Sequence, residues 1–182
     1  MKLKLLMTTA AFALTLGTAA MAVTDPMVGG AAMFPTKNIV ENAVNSKDHT
    51  TLVAAVKAAG LVPTLEGTGP FTVFAPTNEA FAALPAGTVD TLLKPENKDK
   101  LTQVLTYHVV PGRYDKMALE TAIKTAGGKL ALKTAEGETL TIADANGGLW
   151  VSDQKGNTAR VTIADVYQSN GVIMVIDKVL MP

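Results

Sequence analysis

The sequence predicts one α+β domain whose helices and strands are segregated along the chain. Three observations carry that prediction. Apolar residues recur at helical spacing in the first half, at Ile39, Val40, Ala43 and Val44 and again at Leu52, Val53, Val56 and Ala59. From Lys129 onward the period changes to two, and turn signals punctuate it. Between these halves, Phe71 to Pro85 (FTVFAPTNEAFAALP) reads as a strand that must turn at once into a helix.

The first 22 residues read as a leader. Lys2 and Lys4 form a basic start, Leu5 to Ala20 is almost wholly apolar, small or hydroxyl-bearing, and Ala20-Met21-Ala22 matches a small-x-small cleavage site. The apolar run is short for a membrane span of roughly 20 residues, and no basic stop-transfer cluster follows it. Export with cleavage after Ala22 is therefore expected, to the periplasm or the outside, with no stable membrane insertion afterwards. Removing 22 of the 182 residues leaves 160, enough for one domain with a substantial core. Two of the 16 basic residues and none of the 16 acidic ones lie in the leader, so the remainder carries a net charge of −2. That balance leaves no electrostatic footprint for nucleic acid. There is no cysteine, which excludes disulfides, thiol catalysis and cysteine metal sites.

Each element then follows in order. Residues 23–37, rich in Gly, Ala and Met, have no clean period and read as an arm or linker, onto whose neighbour Met27, Met33 and Phe34 could tuck. The domain is expected from Asn38 to Pro182. A second helix follows the break at Asn45-Ser46-Lys47, with Asp48 as its expected cap and Gly60 as its stop. In the central strand Phe71, Val73 and Ala75 face one way, Thr72 and Phe74 the other, and both faces are expected to be covered. Pro76 removes a ladder donor, and Thr77 can cap the next helix, with Glu79 in its first turn. Thr88 to Leu93 reads as a single helical turn. Pro95 opens a helix whose stripe is Leu101, Val104, Leu105 and His108. Asp115 caps another through Met117, Leu119 and Ile123, with Met117 and Met174 expected as core fillers.

Strands dominate the rest. Leu130 and Leu132 share a face, Glu136-Gly137 signals a hairpin, and Leu140 and Ile142 alternate against Thr139 and Thr141. Asn146-Gly147-Gly148 turns into Leu149-Trp150-Val151, and Lys155-Gly156-Asn157 into a strand with Val161 and Ile163 inward. Asn170-Gly171 is the strongest hairpin signal, since both residues tolerate positive φ. Val172 to Val179 closes the fold, apolar until Asp177-Lys178.

Three of these stretches match one family in the right order. FTVFAPTNEAFAALP resembles the first signature of the fasciclin domain, LTYHVVPGRY (Leu105 to Tyr114) its central Tyr-His motif, and NGVIMVIDKVLMP (Asn170 to Pro182) its closing signature. The resemblance implies a wedge of two β-sheets, about seven strands in all, with several helices packed around it. It also implies adhesion by binding protein or glycan components of cell surfaces or matrix, with no catalytic activity established for the family. A single domain behind a cleavable leader is similar to the small exported bacterial members. Many members carry His in the closing strand where this chain has Met174, so a role for a histidine pair is not carried over; only His49 and His108 are present.

Tyr107-His108 with its apolar flanks Leu105, Val109 and Val110 is the candidate partner-binding motif, because the equivalent motif is implicated in integrin binding in animal members. The plainer reading is a buried Tyr and His whose polar ends find partners, with Thr77 or Asp48 as the expected partner of His108. Trp150, the one tryptophan, is the other candidate contact. Thr77, Asn78, Asp48, Asn170, Gly171 and Asp177 read as serving architecture. His49 reads as a solvated residue of a cap region, without the further ligands a metal needs. Nucleotide, metalloprotease and hydrolase-elbow motifs are absent, Ser46, Ser152 and Ser169 have no histidine at an informative spacing, and no cofactor is expected. A paired-carboxylate hydrolase stays open, because that pairing is spatial. The alternative of a different class is a periplasmic carrier that holds a small apolar ligand between sheet and helices.

Overall fold

A computed structural model describes residues 25–182; the expected leader and its cleavage point lie outside the described residues. The described chain opens with a hairpin of β1 (Met27–Val28) and β2 (Ala31–Ala32). Helices α1 (Ile39–Ala43), α2 (Thr50–Ala59) and α3 (Val62–Leu65) precede β3 (Phe71–Pro76). Next come α4 (Asn78–Ala82), α5 (Thr88–Leu92), α6 (Lys98–Tyr107), β4 (Val109–Pro111) and α7 (Lys116–Thr125). Five strands complete the chain: β5 (Lys129–Lys133), β6 (Thr139–Ala145), β7 (Gly148–Ser152), β8 (Thr158–Gln168) and β9 (Gly171–Ile176).

Strands β3 to β9 form one sheet in the order β4-β3-β9-β8-β7-β6-β5. β3 and β9 run parallel in its middle, from Phe71 opposite Gly171 to Pro76 opposite Ile176, and every other neighbour is antiparallel. β8 is shared between two leaves: Thr158 to Arg160 pair with β7, and Val161 to Gln168 with β9. Its ladder is interrupted between Val161 and Ile163 and between Ile163 and Val166. Such bulges bend a strand and reset its alternation. Val161 and Ile163, expected on one face, therefore serve different cores.

Those two cores explain why both faces of β3 are apolar. Between the leaves, Phe74, Met174 and Ile176 pack with Leu140, Ile142 and Val151, and Leu119 and Ile123 of α7 close the gap. On the opposite face, Val73, Ala75, Ile173 and Val175 lie under α1, α2, α4 and α6, through Ile39, Val56, Phe81 and Leu105. Each of these Val, Leu, Ile, Phe and Met side chains contributes roughly 1.5–3 kcal/mol on full burial. Met174 is fully buried between the leaves, while Met117, expected as a core filler, is 73% exposed on α7.

The caps were legible in kind but not always in partner. Asn38 and Glu41 form a reciprocal capping box on α1, Thr77 Oγ1 accepts from Ala80 N at 3.3 Å, and Asp115 Oδ1 accepts from Ala118 N at 2.8 Å. Asp48 does not cap α2. It sits exposed in a 3-10 turn (Lys47–His49) that runs straight into the helix. Asn78 Oδ1, from the start of α4, accepts instead from Thr51 N at 3.0 Å and Thr50 Oγ1 at 3.2 Å, while its amide donates to Lys47 O at 2.8 Å.

The stretch read as an arm holds the β1–β2 hairpin, with Val28 and Met33 buried in the core under the helices and Met27 and Phe34 exposed. Its turn residue Gly29 (φ 59°) lies against the 3-10 turn, where a Cβ would collide with Ser46 Oγ and the amides of Lys47 and Asp48.

Candidate functional site

Tyr107 and His108 end α6, where the apolar stripe carries them inward. Tyr107 has 0% and His108 3% of its surface exposed, and Leu105, Val109 and Val110 are buried as well. The Tyr107 hydroxyl donates to Thr139 O at 3.2 Å, across the gap between the leaves. His108 meets the Tyr107 ring edge-on, with centroids 6.4 Å apart. Leu180 N donates to His108 Nε2 at 3.0 Å, so Nε2 is the acceptor and Nδ1–H donates to Val104 O at 2.8 Å. Burial lowers the His108 pKa to about 4, despite the opposing effects of the Val104 carbonyl and Asp153. The motif offered as a partner-binding edge is therefore interior, and backbone groups take the place of the expected Thr77 or Asp48.

The remaining motif residues also bond within the fold, Asp177 from an exposed position and Trp150 from a half-buried one. Asn170 Oδ1 accepts from Ile39 N at 3.0 Å, and its amide donates to Leu65 O at 2.7 Å and Gly67 O at 2.8 Å, tying the β8–β9 turn to α1 and α3. Neither Asn170 nor Gly171 adopts positive φ. Gly171 is required by close approach, since a Cβ there would run into the Phe71 carbonyl. Asp177 Oδ1 accepts from Arg160 N at 2.8 Å. Trp150, half-buried on β7, donates from Nε1 to Ala145 O at 3.1 Å and lies opposite Arg160 on the neighbouring strand.

Several buried polar groups escaped the sequence reading, Asn42 and Gln168 among them, and two bear on this part of the fold. The Asp153 carboxylate accepts from Lys155 N, Asn157 N, Asn157 Nδ2 and Met181 N at 2.8–3.1 Å, and so pins the end of the chain. Nothing local marks that role, because Met181 lies 28 residues further on. The other group is Ser46 with His49, three residues apart on the 3-10 turn, where Ser46 Oγ and His49 Nδ1 are 2.9 Å apart. A spacing of three is one turn of that helix, so it was informative after all. His49 is 3% exposed, not solvated, and it lies near the Ala75 carbonyl of β3.

Ser46 and His49 line an apolar cavity of about 90 Å³ between the helices and the β3–β9 face. Val28, Met33, Val56, Phe71 and Ile173 form much of its wall, and exposed Lys57 and Thr64 lie at its rim. Among the described residues, no Asp or Glu lines it, and no group of three or more His, Cys, Asp or Glu gathers anywhere to hold a metal. Burial holds the His49 imidazole below its ordinary value, against opposing effects of the Ala75 carbonyl and Asp48. The Ala75 oxygen is near enough to favour the proton but outside hydrogen-bond geometry, so Nε2 has no partner. Ser46 is 2% and His49 3% exposed, so the pair lies inside the packed structure.

The fasciclin domain family profile matches residues 47–182. The chain belongs to the fasciclin domain family. A Synechocystis relative, protein sll1483, is 51% identical over 176 residues, 94% of this chain and 91% of its own length. Transforming growth factor-beta-induced protein ig-h3 of Sus scrofa is 36% identical over 81% of this chain, which spans 20% of that longer protein. The fasciclin fold itself is matched by a domain pair from the insect cell adhesion molecule Fasciclin I, with TM-score 0.72 over 80% of this chain and 51% of that one, at 17% identity. No helix among the described residues is long and apolar enough to cross a membrane.

Proposed function

We propose that this chain is an exported, non-enzymatic fasciclin-domain protein that binds protein or glycan components of a cell surface or matrix through its outer face. The observation that carries this reading is where the polar groups go. Thr77, Asn78, Tyr107, His108 and Asn170 are each bonded to backbone, which leaves none of these motif residues for chemistry. Side chains of the kinds that interfaces favour remain outside. Met117 is 73% and Tyr167 40% exposed, and Tyr167 reaches Asp115, two residues before Met117. Trp150 offers a second aromatic contact on the other leaf.

The test is capture of envelope and matrix components by immobilised folded protein, alongside Trp150→Ala, Tyr167→Ala and Met117→Glu variants. Specific capture lost in at least one surface variant of unchanged melting temperature is the expected result. Capture that survives all three, or that is lost in His108→Ala without any loss of stability, would overturn this reading.

A further inference from the structure

The leaf formed by β5, β6, β7 and the first part of β8 has one face in the core and one in water. Leu132, Leu140, Ile142, Leu149, Val151 and Ala159 alternate inward and are buried. The register sorts the outward residues into rows that cross the strands. Lys129 lies opposite Ala143, Ala143 opposite Trp150, and Trp150 opposite Arg160. The next row holds Ala131, Thr141, Ser152 and Thr158, and beyond it Lys133 lies opposite Thr139. With neighbouring strands about 4.8 Å apart, the backbones of Lys129 and Arg160 are roughly 14 Å apart, and Trp150 stands between them.

Charge on this face has one sign. Lys129, Lys133 and Arg160 are exposed, and the ion pairs among the described residues, Lys94 with Glu96 and Lys116 with Glu120, include none of them. Asp144, the one acid in the paired stretches of these strands, alternates to the other side with its partner Leu149. At the margin, Asp177 is held by the Arg160 amide at 2.8 Å. Edge lysines guard a sheet against unwanted pairing, which accounts for Lys129 and Lys133 on β5. It does not account for Arg160, whose strand lies inside the sheet between β7 and β9. The indole of Trp150 is fixed by its Nε1–H bond to Ala145 O and stays half-buried.

We infer that this face binds an acidic polysaccharide, an inference that rests on the surface-binding role proposed above and names the partner's class. Acidic groups of the sugar chain pair with Lys129, Lys133 and Arg160. The apolar side of one sugar ring lies on the Trp150 indole, and sugar hydroxyls bond Thr141, Ser152 and Thr158. One aromatic beside a row of hydroxyls suits sugar rings, whereas single-stranded nucleic acid stacks successive bases on several aromatics.

Trp150 is the only tryptophan of the sequence, so intrinsic fluorescence reports this face directly. The probes are a hexamer of 1,4-linked mannuronate and the matching mannose hexamer, in which hydroxymethyl groups replace the carboxylates. The uronate should shift the emission and bind at least about fivefold more tightly than the neutral hexamer. Its binding should weaken as salt rises, because exposed charges are screened. Lys129→Gln and Arg160→Gln should each weaken it about two- to fivefold, the worth of a solvent-exposed ion pair. Lys100→Gln, at an exposed position of α6, should leave it unchanged. Equal affinity for the two hexamers, or an equal loss in Lys100→Gln, would overturn the inference. So would tighter binding of a thymidine heptanucleotide, which matches the uronate in number of acidic groups, or of phosphatidylglycerol vesicles. Uronate that fails to bind while capture of envelope components persists strikes this inference alone; the broader reading falls only with that capture.

Discussion

The two histidines are both buried, and the fold uses them in opposite ways. His108 has both ring nitrogens engaged, one by a local helix carbonyl and one by an amide 72 residues away. Truncation to alanine orphans Val104 O and Leu180 N, so His108→Ala should lose roughly 1–3 kcal/mol of stability, read as a lower urea midpoint. Protonation gives a second expectation. In the unfolded chain His108 titrates near 6.5, while in the native state its pKa is about 4, so the unfolded state binds the proton first as pH falls. Stability is full above about pH 6.5 and declines toward pH 4, by about 3 kcal/mol from this residue; His49, also lowered, acts in the same direction. Urea midpoints that stay level between pH 7 and pH 5 would contradict this. Burial of His108 was legible from its place on the α6 stripe. Burial of His49 was not, because Asp48 beside it suggests solvent and the strand it lies near, at Ala75, comes 26 residues later.

Among the elements, the helix starts show how far local chemistry reaches. Asn38, Thr77 and Asp115 cap their own helices, and the caps at Thr77 and Asp115 follow from sequence spacing. The start of α2 does not, since its cap comes from Asn78, 27 residues further on. Asn78→Ala should therefore cost about 1–2 kcal/mol, in the range of a lost cap, whereas Asp48→Ala should stay within about 0.5 kcal/mol. Denaturant midpoints of the two variants decide between a local and a borrowed cap. The β8–β9 turn teaches the same lesson. Its existence was legible from Asn170-Gly171, but the residues are there for long-range bonds and close packing, which no dipeptide preference encodes.

For the whole molecule, the two leaves predict a gradient of protection. β9 is buried at every position and bonded on both sides by β3 and β8, so its amides should exchange only through global unfolding. β5 lies at the sheet edge, paired to β6 alone, with exposed lysines at both of its ends, and should exchange through smaller openings. Native-state hydrogen exchange that found β5 as protected as β9 would refute that hierarchy. The α+β class, most strands and both faces of β3 were readable from periodicity. The cleft between leaves was not, because it depends on two irregularities in β8, and a period of two carries no mark of where it slips.

The parallel pairing of β3 with β9 has a temporal consequence. Phe71 and Gly171 are partners 100 positions apart, and at about 5–20 residues per second of synthesis the ribosome releases the second roughly 5–20 s after the first. Throughout that interval a strand greasy on both sides waits without its neighbour. The nascent polypeptide thus cannot lock its middle until its last strand emerges, which leaves a window for a holding chaperone to act.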